Sequence, residues 1–136
     1  MKRVCIISAY LNRLNPEIKL VADTSDGFSQ QLEGITGAFL DGISTWARER
    51  KRLPREQSPG IIELERSRAS RVLDYFEKIS DKLDQSPKLA HITLGSALGL
   101  EIRLPELQWR QKYSKVAHWY DEFSKRPSMQ ATIPQS

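Results

Sequence analysis

Few side chains in this sequence are of the kinds that carry chemistry, and spacing decides what each could do. The single cysteine, Cys5, would act as a nucleophile only with a thiol pKa lowered by a base or a helix N-terminus. Lys2 and Arg3 are close to it in sequence, but the plainer reading is a structural thiol. His91 and His118 lie far apart with no second cysteine to join them, so no metal-ligand constellation is expected. His118 adjoins Trp119 and reads as a surface or packing residue. His91 stands at the start of an apolar stretch, where it could bond a backbone carbonyl. Neither reads as an acid or base. Tyr10, Tyr75, Tyr113 and Tyr120 have no companion that would lower a phenol pKa, and no catalytic residue is assigned.

Charge gives a second candidate. The net charge is +4, and much of the excess lies in RERKRLPRE (Arg48 to Glu56), with five basic and two acidic residues. Such a run is either a helix C-terminus, where cations are favoured by the dipole, or an anion or nucleic-acid patch. No aromatics are interleaved and no recognition motif is present, so the helix end is preferred and nucleic acid is not expected as a partner.

A chain of 136 residues with 39% apolar content is long enough for one domain with one real core. One cysteine rules out an internal disulfide framework and suits a reducing, cytoplasmic setting. The apolar run from Val4 to Ile7 is too short for a signal peptide. No stretch approaches the ~20 apolar residues of a membrane span, so no membrane association is expected.

Nearly all of the pattern that must position these residues is helical. A first helix is expected over 2–14, stopped by Pro16. A second is expected from about Asp26 to Lys51, capped by Thr24, Ser25 or Asp26. Its apolar stripe is Phe28, Leu32, Ile35, Phe39, Ile43 and Trp46. A third starts near Ser58, with Pro59 in its first turn and a stripe through Ala69, Val72, Leu73, Phe76, Ile79 and Leu83. The fourth is expected to be capped by Ser86, with Pro87 at the first helical position. From Leu89 to Leu100 its only ionisable residue is His91. A helix apolar around its circumference must be surrounded by protein. It nonetheless carries Gly95 and Gly99, each costing roughly 1 kcal/mol relative to alanine. Close approach of neighbours, with its dispersion contacts, can offset that cost. A last helix starts near Ser114 and is stopped by Pro127, and the tail from Met129 is expected on the surface. No strand signal or internal repeat appears, so the fold class is all-α.

The order of elements and two motifs add a family resemblance. The buried helix runs into GLEIRLPELQWR, and the last helix reads HWYDEFSKRPSMQATIP. Both closely resemble the C-terminal helical domain of bacterial glutathione S-transferases, where the turn has the form F-R-x-P-x-x-x-W-R and the last helix ends in R-P-S-F-x-x-T-x-P. The matching residues include Arg103, Pro105, Trp109 and Arg110 in the turn, then Trp119, Arg126, Pro127, Ser128, Thr132 and Pro134. Met129 stands where Phe is common. The resemblance extends back through LEGITGAFLDGISTWARE and ELERSRASRVLDYFEKI.

The resemblance implies a helical bundle around a buried central helix, spanning 15–136. Residues 1–14 would be a remnant of the last helix of a thioredoxin-like domain, with the start of the linker. In the family that domain binds glutathione, the co-substrate, and supplies the group that activates its thiol. In register with Tyr10-Leu11, the acidic residue and Ser that hold the γ-glutamyl end are replaced by Arg3 and Val4. Gly37 stands where relatives often carry Asp. The Ser/Thr-x-x-Asp box at the start of the buried helix falls on Lys88 and His91, with Ser86-Pro87 as a substitute. The helical domain supplies an apolar pocket for the electrophile, and the resemblance offers Phe39, Ile43, Trp46 and Arg103 for it. For the first three the competing role is core or dimer packing. For Arg103 it is an ion pair with Glu101, Glu106 or Asp41. Expected partners are a second copy, through the second and third helices, and a protein at the exposed N-terminal face. The chain alone is expected to be inactive as a transferase. The alternative is a non-catalytic interaction or dimerisation module of the same fold.

Overall fold

The computed structural model describes residues 2–134, with side chains from Cys5 onward. It is all-helical: α1 (Lys2–Leu14), α2 (Gly27–Arg50), α3 (Pro59–Lys78), α4 (Leu89–Gly99), α5 (Ser114–Phe123) and α6 (Pro127–Ala131). No strand occurs among the described residues. No described helix is long and apolar enough to cross a membrane.

The centre is α4, with nine of its eleven residues buried. α2 packs along both α4 and α3, and α5 bridges α3 and α4. The two glycines of α4 mark where its neighbours come closest. A Cβ at Gly95 would stand 3.1 Å from Met129 Cε and 3.2 Å from Phe123 Cδ1, and one at Gly99 would stand 3.0 Å from the Tyr120 hydroxyl. Phe123 is fully buried and stacks on Trp119 at 4.8 Å, so that ring has little freedom to retreat. Ile92, half-buried, and Ser96, exposed, lie one turn apart and leave a single strip of α4 open.

Local chemistry sets the helix ends. Asp26 caps α2 by accepting the Ser29 N–H at 3.1 Å, and Ser58 caps α3 with Pro59 at the first position. The expected cap of α4 is not formed. That helix begins two residues later than Ser86-Pro87 would place it, with Lys88 at the N-cap and no side-chain bond there. Ser86 is instead drawn to Asp84, which accepts its N–H at 2.9 Å and its hydroxyl at 2.5 Å. The free Leu89 N–H donates to the Leu20 carbonyl at 2.8 Å. Long-range contacts also open α5: the Glu77 carboxylate of α3 accepts the N–H groups of Lys115 and Val116, both at 3.1 Å. The tail lies on the surface as expected, with Gln130 to Ile133 exposed; it also forms the short α6, because Pro127 suits a helix start and the half-buried Met129 packs on the core.

His91 takes the third position of α4. Its ring is 4% exposed and lies 6.0 Å from the Trp119 ring and 6.4 Å from that of Phe123. The expected bond to a backbone carbonyl is absent. The nearest charged atom is Asp84 Oδ1, at 3.6 Å, too far for a hydrogen bond. Burial pushes the imidazole below its ordinary pKa. Asp84 opposes this, and Lys88 and Arg126 reinforce it. The Asp84 carboxyl sits below its own usual range: burial works against ionisation, but the Ser86 hydroxyl and N–H favour it.

α1 stands apart. Among its described side chains only Ser8 is buried, and Ile6, Ile7, Tyr10, Leu11 and Leu14 are exposed. It is tied to the bundle by Asn12, whose Oδ1 accepts the N–H of Leu20 at 2.6 Å and of Val21 at 3.3 Å.

Gly95→Val should lower stability by about 1–3 kcal/mol through overpacking. Gly34→Ala, whose added Cβ meets nothing within 4 Å, should raise it by up to about 1 kcal/mol; urea denaturation measures both. The His91 prediction concerns pH. A folded-state pKa below the unfolded value of about 6.5 means the folded chain binds fewer protons, so the stability is present above that value and lost as pH falls through the folded one. Melting temperature should therefore fall from pH 7.5 to 5.5, and His91→Gln should flatten that slope whatever its absolute stability.

Candidate functional site

The open strip of α4 forms the floor of a cleft of about 480 Å³. Gly95 and Gly99 add no side chain to that floor, and Ser96 adds only a hydroxyl. One wall is Leu40 and Ser44 of α2. A second comes from the turn after α4, with Leu100, Glu101 and Ile102. Tyr120 and Ser124 close the α5 side, and Met129, Ile133 and Pro134 close the end. The walls thus mix aliphatic side chains with hydroxyl and amide groups such as Thr132 and Gln130.

Charge enters the cleft only as a paired group among its described lining residues. The Arg110 guanidinium bonds Glu101 through Nε at 2.8 Å and through its terminal nitrogen at 2.7 Å, and Asp121 at 2.8 Å. It also stacks over the rings of Trp109 (4.7 Å) and Tyr120 (5.0 Å). Burial works against the Arg110 charge, but the bonds to Glu101 and Asp121 outweigh it and hold its pKa above the ordinary value. Trp109 meets the Tyr120 ring edge-on at 5.4 Å. Burial, then the nearby Glu101 charge, pushes the Tyr120 phenol above its usual pKa.

The side chains expected to form the pocket lie elsewhere. Phe39, Ile43 and Trp46 are 3%, 1% and 1% exposed and belong to the core. The positions next to two of them, Leu40 and Ser44, line the cleft instead. One residue is a rotation of about 100° on a helix, enough to carry a side chain from the core stripe to the wall. Phe39 and Ile43 also border a small pit between α2 and α3, where the buried Glu65 carboxylate lies over Gly42 and pairs with Arg68 at 3.0 Å. Arg103 is exposed and is not part of the cleft lining.

Sequence reasoning missed Leu40, Ser44, Tyr120 and the tail. One signal was available: glycines at 95 and 99 flanking Ser96 mark a helix face with little side-chain bulk. Cys5 is exposed, as is His118. Among the described residues no group of His, Cys, Asp or Glu is placed to hold a metal ion. The basic run falls at the end of α2, with Arg50 on Glu106 and Arg52 on Glu49. Gly37 is buried in α2. The side chains of Arg3 and Val4 lie outside the described residues.

The fold has clear counterparts among solved structures. A glutathione transferase family member from Pseudomonas fluorescens Pf-5, with bound S-(propanoic acid)-glutathione, is 30% identical with a TM-score of 0.74, over 82% of this chain and 60% of that one. The family member from the same organism with bound glutathione is 28% identical with a TM-score of 0.80, over 96% of this chain and 66% of that one. A glutathione S-transferase from Methylobacillus flagellatus KT with glutathione bound is 27% identical with a TM-score of 0.80, over 93% of this chain and 66% of that one. The chain therefore spans less than two thirds of the length of these structures. No protein-family model and no curated protein matches it.

Proposed function

We propose that this chain, whose all-helical fold is that of solved glutathione transferase family members, supplies the wall that holds the electrophile in glutathione conjugation. The cleft carries the reading: a cavity of about 480 Å³ whose walls mix aliphatic side chains with neutral polar groups suits a small, partly apolar molecule. Glutathione, a charged tripeptide, is not matched by this surface. The Arg110 charge is committed to Glu101 and Asp121, leaving no cation in the described lining for the peptide's carboxylates. In this reading the chain is a cytoplasmic transferase component, and glutathione and its activating group are held by other elements. The 136 residues alone do not conjugate. A second copy pairs through α2 and α3, where Ile35, Val72 and Tyr75 border a shallow groove with Arg68 and Arg71.

A second reading, a non-catalytic interaction module, is favoured by one observation: the apolar row on α1, with Ile6 69% and Leu14 65% exposed. Such a row suits a protein partner.

Glycine labelling tests the first reading. The chain has seven glycines, of which Gly95 and Gly99 line the cleft and Gly27 and Gly34 face open space. Titrating ¹⁵N-glycine protein with 1,3-dinitrobenzene, an unreactive analogue of an aromatic electrophile, should shift Gly95 and Gly99 and leave Gly27 and Gly34 in place. Ser96→Phe should weaken that binding at least about tenfold, a loss of some 1.4 kcal/mol. Glutathione alone should move neither cleft glycine. Shifts confined to other glycines, or conjugation of 1-chloro-2,4-dinitrobenzene by the chain alone above the uncatalysed rate, would contradict the reading.

A further inference from the structure

We infer that Tyr120 is the specificity-determining donor of the cleft, which selects neutral molecules with a hydrogen-bond acceptor and disfavours anions. The inference rests on the cleft reading above and adds the class of molecule that fits.

Three observations lead to it. First, the Tyr120 hydroxyl reaches the cleft floor beside Gly99, 3.0 Å from where a Cβ there would stand. Any side chain at position 99 would crowd the hydroxyl, so the glycine keeps that place open. Second, the ring is fixed before any ligand arrives: Trp109 meets it edge-on at 5.4 Å and Arg110 lies over it at 5.0 Å. A donor held in place loses little entropy on binding. Third, the charges beside it are one guanidinium and two carboxylates, bonded to each other at 2.7–2.8 Å. An anion would have to displace those carboxylates from Arg110. A carbonyl or nitro oxygen needs only the phenol O–H, which burial and Glu101 keep protonated. The chain as a whole is basic, so a preference against anions is not what net charge would suggest.

The test uses the full chain, ¹⁵N-glycine labelled, with three probes of similar size: 2-acetylnaphthalene, 2-ethylnaphthalene and 2-naphthoate. The ketone should bind about fivefold tighter than the hydrocarbon, the worth of one hydrogen bond near 1 kcal/mol, and the carboxylate more weakly than the ketone. Tyr120→Phe should bring the ketone to the level of the hydrocarbon and leave the hydrocarbon's affinity unchanged, which also shows that the variant keeps the cleft intact. Equal binding of ketone and hydrocarbon by the unmodified chain would overturn the inference while leaving the cleft reading in place. So would a ketone preference that survives in Tyr120→Phe, or tighter binding of the carboxylate. If no probe shifts Gly95 and Gly99, the cleft reading falls and this inference falls with it.

Discussion

The structure depends on burying a helix that has almost no polar face. α4 runs from Leu89 to Gly99 with a single ionisable side chain, His91, so neighbours must cover it on nearly every side. Coverage at contact distance requires that some of its positions carry no side chain. Gly95 and Gly99 fill that role, admitting Phe123 and Met129 at one level and Tyr120 at the next. The helix-propensity cost, of order 1 kcal/mol for each glycine, is offset by packing that no longer side chain would permit. The remaining architecture follows: a long α2 laid along α4, α3 behind α2, and α5 and α6 closing over the glycines.

The same constraint produces the cleft. A helix stripped of bulk on one face leaves a hollow wherever its neighbours do not quite meet. Here that hollow opens along Ser96, between Leu40 on α2 and the tail beyond α6. Its one charged cluster is closed upon itself through Glu101, Arg110 and Asp121, so the surface offered to a ligand mixes aliphatic and neutral polar groups. Packing and binding are therefore not separate designs: the glycines that admit Tyr120 to the core also bring its hydroxyl to the floor of the site.

Much of the fold was legible in sequence because helix-forming signals are local. The stripe on α2, the proline and serine at the start of α3, and the apolar circumference of α4 each lie within one segment. What stayed hidden depends on residues far apart in the chain. Ser86 has the right chemistry for a cap, but Asp84 holds it, and the carbonyl of Leu20 meets the first N–H of α4. Glu77 caps α5 from 38 residues away. The site was legible only to the helix: α2 and the end of α4 do form it, but a stripe pattern identifies the buried face. The wall of a cleft beside that face lies one residue over, which is why Leu40 and Ser44 stand where Phe39 and Ile43 were expected. Met129 and Ile133 carried no periodic signal, since α6 has only five residues.

α4 should be the last element to come apart, and native-state hydrogen exchange addresses that directly. If enclosure of this helix holds the fold together, the amides of Leu94, Ala97 and Leu98 should exchange only through global unfolding, as slowly as any in α2 or α3. Those of Ile7 to Leu11 in the loosely attached α1 should exchange through local opening, orders of magnitude faster. Exchange of the α4 amides by low-energy local opening, while α2 and α3 stay protected, would contradict the claim that the glycine-bearing helix is the centre on which the structure is built.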